Sequence, residues 1–174
     1  MPRATVGTLS RLWQGRPMPN QHAYVGVIGP GEAQDQHLQA AYQVGRLLAE
    51  RGVVVVTGGL GGVMHEASKG AAEALGLTVG LLPGPDRSAA SRWVTVAIPT
   101  GLGEMRNALL VRSCDAIVAV GCSWGTLSEI ALAVRTGVPV IALDCWQLPN
   151  DGPIPAADPH DAVAAVDRVL RRYE

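Results

Sequence analysis

The chain is short of charge, and most of what it lacks bears on its partners. Only 17% of its 174 residues are charged, against 48% hydrophobic, the balance expected of one compact soluble domain with a single core. Lysine is nearly absent: 13 of the 14 basic residues are arginine, and Lys69 stands alone. The net charge is −1 and no basic run stands out, so no nucleic-acid face is expected, although a local anion pocket stays compatible with the totals. No apolar run approaches the roughly 20 residues a membrane helix needs. The first residues have no apolar segment of the signal-peptide kind, so neither membrane insertion nor secretion is expected. The three cysteines, Cys114, Cys122 and Cys145, are odd in number and lack metal-ligand spacing. They read as reduced thiols of a cytoplasmic protein with no metal site.

What is present is an alternation of apolar runs and helical periods. Residues 1–22 carry Pro2, Pro17 and Pro19 and no clear period, which predicts a disordered tail or arm, with docking of Leu9, Leu12 and Trp13 on a neighbouring surface as the alternative. Residues 23–174 read as one domain. Strands are predicted at 24–28, 53–57, 77–82, 93–98, 116–120 and 139–143. Helices are predicted at 33–51, from 63 to about 75, from 103 to about 113, after the turn at 121–125, and from Asp158-Pro159 to about 172, where Asp caps and Pro takes the first helical position. Residues 147–157 read as a Pro-rich loop. Such an alternation gives an α/β fold, a Rossmann-like doubly wound parallel sheet with helices on both faces. Strands 24–28 and 116–120 then lie side by side at the switch point, where ligands bind beyond the carboxyl ends. The turns at Gly29 and Gly121 would wall that crevice, with Gly58–Gly62 close by.

The stretch from Ala116 to Val134 is the centre of the pattern: a β-branched strand, the turn Gly121-Cys122-Ser123-Trp124-Gly125, and a helix. A strand, a tight glycine turn and a helix together aim free N–H groups at an anion. Competing motifs fail. Gly29-Pro30-Gly31 opens a dinucleotide fingerprint, but Gln34 stands at its third glycine and no acid ends the second strand. No P-loop is present, and Lys69 lacks any companion feature of a pyridoxal site. Gly121, Ser123 and Gly125 match the nucleophile elbow G-x-S-x-G, with Asp144 and His160 following in triad order. A serine hydrolase is therefore a distant alternative, without an oxyanion loop.

Glu129 lies about one turn into the helix, and its side chain leans back toward the turn. It can face a sugar whose phosphate rests on Gly125 and Thr126, or close a capping box with Thr126; spacing alone leaves both readings open. Arg106 begins a helix, where the dipole disfavours a cation. It is either an ordinary surface residue or a phosphate clamp. His65 and Glu66 read as capping and solvated residues, and Trp124 as either a stacking platform or a subunit contact. Cys122 reads as a small packing residue rather than a reactive thiolate. His22 and His37 carry no signal.

The runs Thr57-Gly58-Gly59-Leu60-Gly61-Gly62-Val63-Met64, Met105-Arg106-Asn107 and Trp124-Gly125-Thr126-Leu127-Ser128-Glu129 resemble the LOG (Lonely Guy), or SLOG, superfamily over roughly residues 24–143. Many members carry the misleading label lysine decarboxylase. The chain is most similar to the branch that contains the molybdenum-cofactor carrier protein. The resemblance implies a Rossmann-like homodimer or tetramer that binds a small phosphorylated, nucleotide-like ligand. It implies a nucleoside 5′-monophosphate phosphoribohydrolase that releases base and ribose 5-phosphate, or a non-catalytic carrier or sensor of a ligand such as molybdenum cofactor. No cofactor is required for the hydrolysis, and a nucleotide or phosphate is the bound group expected. Arg106 and Glu129 match the catalytic pair. Gly29, Gly58, Gly59, Gly61, Gly62, Met64, Asn107, Gly121, Ser123, Gly125 and Thr126 are the expected ligand-binding set. Gly121-Cys122-Ser123 replaces the enzymes' P-G-G, and Arg106-Asn107 their Arg-Lys. The added Cβ atoms limit the approach of a phosphate to that backbone, so both departures bear on catalysis more than on binding.

Overall fold

The computed structural model describes residues 22–149 and 152–171. The predicted arm, with Leu9, Leu12 and Trp13, lies outside the described residues apart from His22. The elements run β1 (Tyr24–Ile28), α1 (Asp35–Ala49), β2 (Val54–Thr57), α2 (Val63–Glu73), β3 (Thr78–Leu82), β4 (Val96–Pro99), a 3-10 turn (Gly103–Met105) leading into α3 (Arg106–Arg112), β5 (Ala116–Val120), α4 (Trp124–Thr136), β6 (Val140–Leu143), β7 (Ile154–Ala156) and α5 (Pro159–Leu170). Among the described residues seven parallel strands form one sheet in the order β4-β3-β2-β1-β5-β6-β7. This is the Rossmann-like α/β architecture expected from the alternation, and β1 pairs with β5 at the switch point, Val27 against Val118.

Each central strand alternates between two cores because its side chains point to opposite faces. Val25, Val27, Val55, Val118 and Val120 pack with α1, α2 and α5 through Val44, Leu48, Ala67, Val163 and Val166. Ile28, Val54, Val56, Ile117 and Ala119 pack with α3 and α4 through Leu110, Ile130 and Ala133. Burial on both faces is why these strands read as continuous apolar runs. Among the described residues no helix is long and apolar enough to cross a membrane.

The structure corrects the sequence reading in three places. The strand expected at 93–98 is β4, Val96–Pro99. The Thr78 hydroxyl donates to the Trp93 carbonyl at 2.8 Å and accepts from Thr95 N–H at 2.8 Å, tying the chain to β3 through a side chain before the ladder begins. The loop at 147–157 contains β7, a short edge strand whose Pro155 sits opposite Ala142; an edge position tolerates the missing donor. The helix expected from 103 begins as a 3-10 turn, so Arg106 is the first α-helical residue.

Helices α1 and α2 cross at backbone contact. A Cβ at Gly45 would run into the Ala67 carbonyl oxygen, and one at Gly70 into that of Tyr42. Alanine normally stabilises a helix interior by about 1 kcal/mol over glycine. Gly45→Ala is expected to reverse that sign and cost ~1–3 kcal/mol through overpacking, measured by urea unfolding.

Candidate functional site

Three turns converge at the carboxyl edge of β1, β2 and β5. A Cβ on Gly29 would meet the Val120 carbonyl and the Val63 side chain, so the ends of β1, β5 and α2 touch there. Gly62 has φ +61° and lies against the Pro30 and Gly31 carbonyls, while Val63 N–H donates to Pro30 O at 3.1 Å. That leaves the Gly61–Gly62 end of the second turn engaged with the first. Gly59, with φ +73°, accepts at its carbonyl from Ser91 N–H at 2.8 Å, and Ser91 Oγ pairs with His65 Nδ1 at 3.0 Å. Glu66 faces Lys69 at 3.8 Å.

Gly58 is the floor on which Arg106 rests. A Cβ there would stand 2.5 Å from Arg106 Nη1 and 2.6 Å from Met64 Sδ. Arg106 is only 7% exposed, and its Nε has no hydrogen-bond partner. Its acidic neighbour is Glu129, 3.8 Å away and equally buried. The two expected catalytic residues are thus brought together, with Gly58 and Met64 of the first motif around them. Burial pushes the Glu129 carboxyl up to about 7 against the opposing pull of Arg106, and burial pushes Arg106 down. A cation without full compensation in a dry site attracts an anion.

The turn before α4 differs in detail from the capping-box alternative. Ser123, not Thr126, is the N-cap: Thr126 N–H donates to Ser123 Oγ at 3.2 Å, and the two hydroxyls pair at 2.9 Å. Glu129 is therefore not the partner of a Thr126 cap. Thr126 N–H, expected for a phosphate, is already engaged, and Trp124 and Gly125 supply the free donors of the first turn. Gly125 is exposed, and Asn107 Nδ2 donates to Ser128 Oγ at 3.2 Å beside it. A groove of about 400 Å³ between α3 and α4 is lined by Glu104, Met105, Asn107, Trp124, Gly125 and Ser128. Arg106 and Glu129, more deeply buried, do not line it.

The serine-hydrolase alternative loses its geometry. Ser123 Oγ is used as a cap, and Asp144 pairs with His37 Nε2 at 2.8 Å rather than with His160. The His37 ring in turn lies against Gly121, whose φ of +66° and 3.0 Å Cβ-to-ring spacing make a side chain there strained. His37 carried no signal in the sequence because Asp144 lies 107 residues away. The cysteine reading also changes: Cys122 and Cys145 are joined as a disulfide, and Cys114 alone is free, buried, its thiol pushed up by burial.

Glu129 gives the folded state a pH signature. Its carboxyl is raised when folded, so the protonated form stabilises fully below the unfolded value of about 4.3, and that stability is lost as pH rises through about 7. The melting temperature of wild type is expected to fall between pH 5 and 8. Glu129→Gln should flatten that fall and be the more stable form at pH 8, by on the order of 3 kcal/mol. Parallel pH profiles for the two proteins would contradict this.

Residues 22–167 match the model of the SLOG cluster4 family. An uncharacterised protein of Archaeoglobus fulgidus is 43% identical over 119 residues, 68% of this chain and 78% of its own. The molybdenum cofactor binding protein from the phototrophic bacterium Rippkaea orientalis is 40% identical with a TM-score of 0.83. The Moco carrier protein from Chlamydomonas reinhardtii is 39% identical with a TM-score of 0.80. Each of these two comparisons covers 87% of this chain and 99% of the other. With its three motifs gathered at one sheet edge and the family model spanning residues 22–167, this chain belongs to the SLOG cluster4 family.

Proposed function

We propose that this chain binds a phosphate-bearing, ring-containing ligand at the α4 turn, and that it carries a pterin-type cargo such as molybdenum cofactor rather than hydrolysing it. The observation that carries the reading is the buried Arg106, with an unpartnered Nε and a neighbouring carboxyl that burial holds toward its neutral form. An anionic ligand supplies the missing countercharge. The Trp124 and Gly125 N–H groups and the α4 dipole add to the same field. Gly58, Met64 and Asn107 shape the surroundings, and the exposed Trp124 ring offers an apolar face to the ligand's ring system. The similarity to two proteins described as binding or carrying molybdenum cofactor supports this class of cargo.

Catalysis is the second reading, favoured by one observation: a carboxyl near 7 is poised for proton transfer at neutral pH. In that reading Glu129 orients water or stabilises charge on the ribosyl ring, and Arg106 holds the phosphate. No second carboxylate is assigned to protonate the leaving base.

The deciding experiment follows ribose 5-phosphate release from a panel of nucleoside 5′-monophosphates, alongside retention of molybdenum cofactor through gel filtration. Retention without release is expected, with Arg106→Ala retaining at least tenfold less cargo. Release by wild type that disappears in a folded Glu129→Gln would establish the hydrolase instead.

A homodimer, with a tetramer as its extension, belongs to the same proposal. Met105 in the 3-10 turn, Leu109 on α3 and Trp124 on α4 leave apolar side chains exposed, Met105 and Trp124 by 75% and 79%. Sedimentation is expected to give a dimer that Leu109→Glu dissociates; an unchanged monomer in both would dismiss it.

A further inference from the structure

We propose that Cys122 and Cys145 are a reversible thiol–disulfide pair that fixes the ligand turn, and that opening the bond loosens its hold on a phosphate-bearing ligand. The ligand half rests on the function proposed above; the redox half stands independently.

The disulfide joins two separate segments. Cys122 lies one residue before the cap of α4, and Cys145 two residues after β6, 23 positions along the chain. Their Cα atoms are 4.9 Å apart, inside the 4.4–6.8 Å span that a disulfide uses. Both are half-buried, within reach of a small oxidant or dithiol, whereas Cys114 is buried.

The scaffold holds the two segments together without the bond. Gly121 N–H donates to Leu143 O at 2.9 Å. The Asp144 carboxylate binds Gln36 Nε2 and His37 Nε2, each at 2.8 Å. The His37 ring also lies against Gly121. One end of α1 therefore clamps the residue before each cysteine, so the thiols stay adjacent after reduction and can re-form the bond.

The bond also reaches the ligand turn. Trp146 follows Cys145, and its ring meets that of Trp124 edge-on, with centroids 5.0 Å apart and planes at 69°. Trp124 is the first residue of α4 and carries one of the turn's free N–H groups. The disulfide thus braces the platform that the ligand would meet. It also braces the wall of a cavity of about 550 Å³ lined by Asp144, Cys145, Trp146 and Leu148. Preorganisation of this kind raises affinity by lowering the ordering cost of binding.

The chemistry balances with a hydroperoxide as oxidant and a dithiol as reductant. A thiolate of the pair attacks the peroxide oxygen, giving a sulfenic acid and an alcohol, or water where the oxidant is hydrogen peroxide. The second thiol displaces water from that sulfur, forming the S–S bond. In the reverse direction a dithiol exchanges onto one sulfur and closes its own disulfide, leaving both cysteines as thiols.

The test uses the full chain treated with hydrogen peroxide or with dithiothreitol. Maleimide labelling after denaturation should count one thiol in the oxidised form and three in the reduced form. Amide exchange at Thr126 and Leu127, whose N–H groups bond to Ser123, should be at least tenfold faster in the reduced form. Adenosine 5′-monophosphate, titrated by calorimetry, should bind at least threefold more weakly to the reduced form. Cys145→Ser should match the reduced form and ignore peroxide. Three labels after peroxide, or equal exchange in the two forms, would overturn the pair. Equal affinity with unequal exchange would overturn its link to the ligand. If neither form retains the monophosphate or molybdenum cofactor, the proposed function falls, and labelling and exchange still decide whether the pair braces the turn.

Discussion

The site depends on a buried cation held next to a carboxyl that burial itself tends to neutralise. Arg106 begins α3, where the helix field opposes positive charge, and it is nearly excluded from water. A full ion pair with Glu129 would compensate it, but the 3.8 Å separation and the raised carboxyl make that compensation partial. The surroundings are arranged to tolerate the charge. Gly58 leaves room for the guanidinium, and the Met64 sulfur lies against the same glycine. Glu129 keeps its place because α4 starts at Ser123 and carries it back toward the turn.

The sheet makes this encounter possible. Parallel strands bring every carboxyl end to one edge, and pairing β1 with β5 sets the turns after both strands side by side. The glycines there work by absence. Gly29 admits the Val120 carbonyl, Gly62 admits the Pro30 and Gly31 carbonyls, and Gly121 admits the His37 ring. Residues from three distant motifs share one site because three backbone segments, and the His37 ring, approach without Cβ atoms between them.

What the sequence discloses follows from how local each determinant is. The valine-rich strands are legible because burial on both faces leaves no polar positions. The start of α5 is legible because Asp158 accepts from Asp161 N–H and Pro159 opens the helix. The motifs around Gly58, Arg106 and Glu129 identify the family, and the fold then brings them together. Features set by the meeting of remote segments are not legible. The Ser123 cap escapes because the local sequence also spells a Thr126 capping box, and the turn's backbone decides between them. The His37–Asp144 pair and the Cys122–Cys145 bond require the topology that brings α1, β5 and the chain after β6 together. β7 escapes because three residues containing a proline do not carry a strand period, and its pairing with β6 supplies the order.

The substituted turn gives these observations a common direction. A P-G-G turn would leave its backbone bare to a phosphate. In Gly121-Cys122-Ser123 the serine spends its hydroxyl on Thr126 N–H, and the cysteine is bonded to the chain after β6. Two N–H groups remain free at the helix start, together with an exposed tryptophan and a nearby buried positive charge. That set is enough to hold an anion and a ring. In the proposed reading cleavage is the poorer fit, since Glu129 must be ionised to stabilise developing positive charge, and burial disfavours that ionisation. The burial that builds the anion field also disfavours the ionised form of Glu129, and the proposed balance between binding and turnover falls on the side of binding.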